Sequence, residues 1–128
     1  MCDDSEPDCE LTAIAWQDAG IPHDLTSVLS GDALFEYLEA GKPCHLLLLD
    51  MNLPRMTGLE VLAKLKQNEK TAHIPVLMFT SSTWNEEVRA GYAAGASGFL
   101  NKPFELPKLV DLMRAIDTYW LTLALIAE

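Results

Sequence analysis

The fold is decided by residues 46–58, which read LLLLDMNLPRMTG. Four consecutive leucines form an apolar run that predicts a strand covered on both faces, as in a parallel sheet packed between helices. The run ends abruptly at Asp50, and Gly58 opens a segment whose leucines recur at helical spacing. A buried strand, a polar turn and a helix in this order form one unit of an α/β domain.

The same alternation continues on both sides of this unit. Further strands are predicted at residues 24–29, 75–79 and 98–101, and helices at residues 7–20, 31–40, 85–94 and 106–120. A chain of 128 residues has the length of one domain. We therefore expect a single α/β domain over residues 1–128, in which residues 118–128 form an apolar C-terminal tail.

Composition excludes several classes of protein. The net charge of −10 would repel nucleic acid and an anionic membrane surface, so neither is expected as a partner. The three cysteines show no C-x-x-C spacing, which argues against a zinc site or a disulfide framework and indicates a reducing, cytoplasmic location. The acidic start has no signal-peptide pattern, and no apolar run approaches the ~18 residues of a membrane span.

Polar side chains stand where three of the predicted strands end: Asp50, Thr80 and Lys102. Since ligands of open parallel sheets bind beyond the carboxyl ends of the strands, we expect these side chains to share one site. A carboxylate can attack a phosphoryl group and form an aspartyl phosphate. A hydroxyl and an ammonium group can stabilise the phosphoryl oxygens. The pattern therefore predicts a phosphoryl acceptor.

A divalent cation is expected at the same edge, because a carboxylate and a phosphoryl anion repel each other as they approach. Mg²⁺ held by carboxylate oxygens supplies the missing positive charge. Asp3 and Asp4 are the acidic residues that we expect to hold it.

Three blocks of the sequence resemble the CheY-like receiver domains of two-component response regulators. They are residues 50–58 (DMNLPRMTG), 74–81 (IPVLMFTS) and 95–104 (GASGFLNKPF), in the family's order. The resemblance runs from about Asp3 to Tyr119. It implies a flavodoxin-like, doubly wound parallel sheet with the strand order 2-1-3-4-5.

The resemblance also implies roles for single residues. Asp50 would be the phosphorylation site, Lys102 its charge partner, Thr80 the switch hydroxyl and Phe99 the aromatic switch. Mg²⁺ would be held by Asp4, Asp3, Asp50 and the backbone carbonyl of Asn52. The side chains of Asn52 and Ser82 would tune the lifetime of the phosphoryl group, and a cis Lys102–Pro103 bond would aim the ammonium group into the pocket.

The start of the chain departs from the family pattern. Receivers have a central first strand that ends in the acidic pair, whereas here only Met1 and Cys2 precede Asp3, and ~5 residues are usual for a strand. The first strand is therefore expected to be truncated. Three explanations stay open: the natural chain begins further upstream, the numbering starts inside a longer chain, or residues 121–127 fill the gap in cis or from a partner chain.

The implied function is that of a signalling phosphoacceptor, phosphorylated by a sensor histidine kinase and switching protein–protein contacts. It would not be an enzyme beyond Mg²⁺-dependent self-phosphorylation from small donors and self-dephosphorylation. The tail resembles that of stand-alone receivers that work with phytochrome-type kinases, which implies a homodimer through the C-terminal side.

Two other classes of function stay open. One is a pseudo-receiver, with the same fold used as a phosphorylation-independent binding or dimerisation module. The other is a small flavin- or nucleotide-binding α/β protein, although no Gly-rich phosphate loop follows any strand. Each residue also has an ordinary interpretation: Thr80 as a turn residue, Lys102 as a solvated charge, Phe99 as core, and the acidic residues between positions 3 and 10 as charges compensating a helix dipole.

Overall fold

A computed structural model describes residues 1–81 and 84–125. The helices are α1 (Glu6–Asp18), α2 (Gly31–Glu39), α3 (Gly58–Gln67), α4 (Asn85–Ala93) and α5 (Leu106–Ile116), and the strands are β1 (Leu47–Leu49), β2 (Val76–Thr80) and β3 (Gly98–Asn101). A π-helical segment, Asp117–Leu123, continues α5. Ser82 and the last three residues of the predicted tail lie outside the described residues.

The sheet is parallel and its strand order is the predicted one. β1 pairs with β2, and β2 pairs with β3, both in parallel register. On the free side of β1, Cys2 forms one parallel bridge to Leu49 and another to Val28. Counted with these two bridge positions, the order across the sheet is 2-1-3-4-5, which confirms the flavodoxin-like topology.

The first strand is reduced to one bridging residue, which confirms the truncation. The Cys2 N–H donates to the Leu48 carbonyl at 2.8 Å, and the Asp50 N–H donates to the Cys2 carbonyl at 3.0 Å. On the other side, the Val28 N–H donates to Met1 and the Asp3 N–H donates to Val28. The prediction of a strand at residues 24–29 was wrong except at Val28, because only the short segment from Met1 to Asp3 pairs with it.

Helices cover both faces of the sheet, so the fold is doubly wound. α1 and α5 pack on one face, where Trp16 and Met113 meet Leu48 and Leu77. α2 and α3 pack on the other face, where Leu34 and Leu62 belong to the same core. α4 lies on this second face as well, since its Gly91 contacts the side chains of Phe99 and Met78.

Side-chain caps fix where three helices begin. Ser5, Ser30 and Thr57 each accept a hydrogen bond from the backbone N–H three residues further on, so α1, α2 and α3 start at defined positions. Among the described residues, no helix combines the length and the apolar composition that a membrane crossing requires.

Two local predictions at the C-terminal end of the domain were wrong. The last helix is α-helical only to Ile116, and wider i to i+5 hydrogen bonding, such as Ala124 N–H to the Tyr119 carbonyl, follows it. The Lys102–Pro103 bond is trans. The Lys102 N–H donates to the Thr80 carbonyl at 2.9 Å, and with this trans bond the ammonium group lies in the pocket, 3.5 Å from Asp50 Oδ2.

Candidate functional site

The three predicted strand-end groups meet at the carboxyl edge of the sheet. Asp50 follows β1, Thr80 ends β2, and Lys102 follows β3. The Lys102 Nζ lies 3.5 Å from Asp50 Oδ2, and the Thr80 side chain is a hydrogen-bond partner of the Asp50 carboxylate. Asp50 and Thr80 are buried, with 7% and 0% of their surface exposed. The sheet therefore delivers a carboxylate, a hydroxyl and an ammonium group to one place.

The loop after β1 holds Asp50 in a fixed orientation. Its backbone N–H is bound by Cys2, and its Oδ1 accepts the Asn52 N–H at 3.4 Å. Gly58 packs directly under this loop: its N–H donates to the Met51 carbonyl at 2.9 Å, and a Cβ atom at position 58 would lie 2.8 Å from the Met51 Cα. Only glycine allows α3 to begin so close to Asp50.

Lys102 is surrounded by carboxylates. Its ammonium group contacts Asp3 Oδ2, Asp8 Oδ2 at 3.1 Å and Asp50 Oδ2 at 3.5 Å, and its side chain is only 8% exposed. Burial lowers the pKa of Lys102, but its hydrogen bond to Asp3, the charge of Asp50 and the hydrogen bond to Asp8 outweigh that effect and raise the pKa above its ordinary value. The lysine therefore carries a fixed positive charge in the pocket.

Asp50 has a raised pKa. Burial is the largest cause, the charge of Lys102 acts against it, and the neighbouring charge of Asp3 raises the pKa further. The hydrogen bonds from Asn52 and Thr80 favour the charged form but do not cancel the effect of burial. An ionised carboxylate that its surroundings disfavour is well suited to react with an electrophile.

Asp3, Asp4 and Asp50 form a cluster of carboxylate oxygens within 4.8 Å of one another. Asp3 and Asp50 are buried, whereas Asp4 is exposed and faces solvent. Oxygen ligands of this kind suit a hard divalent cation, with solvent completing the coordination shell. The residues therefore fit a divalent metal ion. Asp3 is held in this cluster by the neighbouring Cys2 bridge, by the bond from its N–H to the Val28 carbonyl, and by the Ser5 N–H that donates to its Oδ1.

The other predicted site residues lie nearby, and their roles stay predictions. Phe99 on β3 is partly buried, and its ring packs against Gly91 and against Tyr92, at 6.5 Å between ring centroids. Asn52 lies on the loop after β1 and contacts Asp50 through its backbone N–H.

Sequence reasoning missed two residues of the site. Asp8 is a direct partner of Lys102, but the sequence placed it among the acidic residues at the start of a helix. The feature of the sequence that could have identified Asp8 is its position three residues after the cap residue Ser5, where side chains point back toward the helix start. Gly58 was read only as a helix start, and its contact under Asp50 needs the structure.

Comparison with known proteins gives one consistent result. The family model of the response regulator receiver domain matches residues 1–114 of this chain. Response regulator Rcp1 from Synechocystis sp. is 33% identical over 128 residues, which cover 94% of this chain and 86% of Rcp1.

Solved structures agree with the sequence comparison. The structure of the Mn²⁺-bound form of response regulator Rcp1 superposes with a TM-score of 0.87 at 31% identity, and it covers 99% of this chain and 96% of that one. The phosphorylated cyanobacterial phytochrome response regulator RcpA superposes with a TM-score of 0.89 at 28% identity, covering 99% and 95%. Both likenesses extend over the whole described domain.

Proposed function

Because this chain belongs to the family of response regulator receiver domains, we propose that it is the phosphoacceptor of a two-component (His-Asp) signalling system. A sensor histidine kinase phosphorylates Asp50, and the phosphoryl group changes which proteins the domain contacts. The observation that carries the proposal is the meeting of three groups: a buried Asp50 carboxylate, the Thr80 hydroxyl and the Lys102 ammonium group.

The transfer uses the groups of this pocket. One carboxylate oxygen of Asp50 attacks the phosphorus atom, a P–O bond forms, and the P–N bond to the kinase imidazole breaks. The released imidazole takes its proton from solvent. Lys102 and Thr80 donate hydrogen bonds to the phosphoryl oxygens, so the negative charge brought to Asp50 meets donors already in place.

The pocket would hold a divalent cation during this reaction, and we expect it to be Mg²⁺. Asp3, Asp4 and Asp50 would hold it, with the Asn52 backbone carbonyl as a further ligand. When bound, it offsets the repulsion between the carboxylate and the phosphoryl oxygens. The Mn²⁺-bound form of Rcp1 supports the assignment of a divalent cation in a related receiver.

The switch runs from Thr80 to Phe99. Phosphorylation moves the acceptor of the Thr80 hydroxyl from the Asp50 carboxylate outward to a phosphoryl oxygen, and the shift of Thr80 that follows allows the Phe99 ring to move inward. Phe99 already packs on Gly91 of α4, so its movement changes the surface around α4 and β3. That surface carries the exposed side chains Tyr92 and Trp84, which would contact a downstream partner.

The test is the intact mass of the protein after incubation with acetyl phosphate and Mg²⁺. One added phosphoryl group is expected in the parent protein and none in Asp50→Asn or in the parent with a chelator. No addition to the parent under any of these conditions would contradict the proposal and leave a phosphorylation-independent binding module as its function.

The kinase partner is of the phytochrome type. This narrower assignment is supported by the likeness to Rcp1 and to the phytochrome response regulator RcpA. We expect phosphotransfer from a phytochrome-type kinase of the source organism to be faster than from a kinase with another input domain. Equal rates from both kinases would remove the assignment without affecting Asp50 as acceptor.

The domain forms a homodimer through its C-terminal side. Tyr119, Leu123 and Leu125 are exposed apolar side chains at this end, at 57%, 68% and 103%. Leu123→Ser should shift the protein to monomer in analytical ultracentrifugation, whereas Leu29→Ser, at an exposed leucine elsewhere, should not. A parent protein that is monomeric at high concentration would refute this part of the proposal.

A further inference from the structure

The three carboxylates around Lys102 are not equivalent. Asp3 and Asp50 belong to the cluster that can hold a divalent cation, whereas Asp8 contacts Lys102 but is not part of that cluster. The side chain of Asp8 is 42% exposed, and its Oδ2 lies 3.1 Å from the Lys102 Nζ. Asp8 is therefore the partner of Lys102 that a bound cation would leave in place.

Asp8 stands at a position where a carboxylate usually serves its own helix. It is the third residue of α1, counted from the cap residue Ser5, and such a side chain commonly accepts the backbone N–H of the cap residue. Here the Ser5 N–H donates to Asp3 Oδ1 at 3.0 Å instead. The carboxylate of Asp8 is thus available to Lys102.

The backbone of Asp8 is held from both sides. Its N–H donates to Ser5 Oγ at 3.3 Å, and its carbonyl accepts the Thr12 hydroxyl at 2.8 Å. Thr12 is itself buried on α1. A carboxylate on such a fixed backbone offers the lysine ammonium a defined position rather than a mobile charge.

We propose that Asp8 is a positioning residue, which keeps the Lys102 ammonium group on the α1 side of the pocket while Asp3 and Asp50 bind a divalent cation. The cation and the ammonium group repel each other and compete for the same two carboxylates. Asp8 relieves this competition, because it gives the ammonium group a partner that the cation does not need. The inference rests on the proposed phosphoacceptor function.

The effect appears first in metal affinity. Without Asp8, the ammonium group depends on Asp3 and Asp50 alone, so a cation must displace it from both. The pocket also loses one negative charge that attracts the cation. Asp8→Asn should therefore raise the Kd for Mg²⁺ about three- to tenfold, the range for one partly screened charge close to a cation.

The experiment titrates Mg²⁺ by calorimetry into the parent, Asp8→Asn, Asp8→Glu and Glu10→Gln, with no phosphodonor present. Glu10→Gln removes the same charge from an exposed position of α1. We expect the weaker affinity in Asp8→Asn only, with Asp8→Glu close to the parent. Circular dichroism and thermal unfolding of each variant show that it is folded.

A second readout separates positioning from structure. The initial rate of phosphorylation by acetyl phosphate is measured against Mg²⁺ concentration in the same four proteins. Asp8→Asn should need more Mg²⁺ for half the maximal rate, while Asp8→Glu and Glu10→Gln should need the same concentration as the parent. A structural defect would lower the maximal rate instead.

Two results would overturn the inference: the same Mg²⁺ Kd in Asp8→Asn and Glu10→Gln, or an equal loss in Asp8→Glu and Asp8→Asn. Failure of the proposed function looks different, because the parent itself would then take up no phosphoryl group. The calorimetric comparison needs no phosphorylation and therefore still decides the role of Asp8.

Discussion

The two ends of the central sheet are built differently. At the carboxyl end, Asp50 and Lys102 lie in a pocket where each has identified partners. At the other end, beside Met1, there is a cavity of about 710 Å³, lined among others by Leu46 and Trp120. Met1 lines this cavity, and its ammonium group donates to the Thr26 carbonyl at 2.8 Å.

The segment from Met1 to Asp3 contacts both regions. Cys2 bonds through its backbone to Leu48 and Asp50, and Asp3, whose N–H donates to Val28, lies beside Lys102. Met1 lines the cavity, whereas Asp3 contacts Lys102 in the site. The sheet therefore has a tightly packed edge around Asp50, Thr80 and Lys102, here called the functional edge, and a loosely packed opposite end.

The largest effect is expected where the functional edge is most crowded. Gly58→Ala places a Cβ atom against the backbone of Asp50 and Met51, which cannot yield as a side chain could. The free energy of unfolding should fall by about 3–4 kcal/mol, measured by urea denaturation.

Gly41→Ala is the control for this substitution. Gly41 has a φ of +78° and no atom within 4 Å of the position of a Cβ, so alanine there meets strain without a clash. Its cost should be about 1 kcal/mol. Equal costs at both positions would mean that the loop under Asp50 is not tightly packed.

Leucine truncation compares the two regions directly. Leu62 lies one turn after Gly58 on α3 and is fully buried, so Leu62→Ala should cost about 3 kcal/mol. Leu46 lines the cavity and is only partly buried, so Leu46→Ala should cost about 1 kcal/mol, because it removes fewer contacts. Urea denaturation of both variants measures the difference, and a larger cost at Leu46 would show that the cavity end is the better packed region.

The smallest expected effect is a gain in folding stability rather than a loss. The folded state raises the pKa of Asp50, mainly through burial, so ionisation of Asp50 disfavours folding. Protonated Asp50 therefore contributes favourably to folding stability. This contribution is complete below the pKa of the unfolded chain, about 3.9, and is lost as the pH rises through the higher pKa of the folded state. Asp50→Asn should therefore raise the midpoint of thermal unfolding at pH 7, and this gain should shrink toward pH 4.

Asp111→Asn, at an exposed aspartate of α5, is the matched control. It should leave the unfolding midpoint nearly unchanged at both pH values, because a surface charge contributes little. A decrease in stability of Asp50→Asn at pH 7 would instead mean that the attraction between Asp50 and Lys102 outweighs the cost of burial.

Much of the fold was predictable because its signals are local. The leucine run before Asp50 and the apolar run before Thr80 predicted buried parallel strands, and the structure has them. The strand ends then placed Asp50, Thr80 and Lys102 at one edge, since parallel strands end on the same side. Their proximity could therefore be predicted without knowledge of side-chain conformation.

Other features depend on contacts between distant parts of the chain. The alternation at residues 24–29 predicted a strand, yet only Val28 of this segment forms a β-bridge, because pairing is decided by the neighbouring segment. The pairing of Asp8 with Lys102 joins residues 94 positions apart, and helical spacing alone could not predict it. Sequence patterns therefore gave the frame of the site but not all its contacts.

We propose that the functional edge holds the protein groups that phosphoryl transfer needs, and that Asp50 accepts the phosphoryl group. The most direct test treats the protein with acetyl phosphate and Mg²⁺, reduces the product with borohydride, and maps the peptides by mass spectrometry. Borohydride converts an acyl phosphate of aspartate to homoserine, which marks the acceptor permanently. We expect homoserine at position 50 alone. Homoserine at Asp3 or Asp4, or at no position, would contradict it.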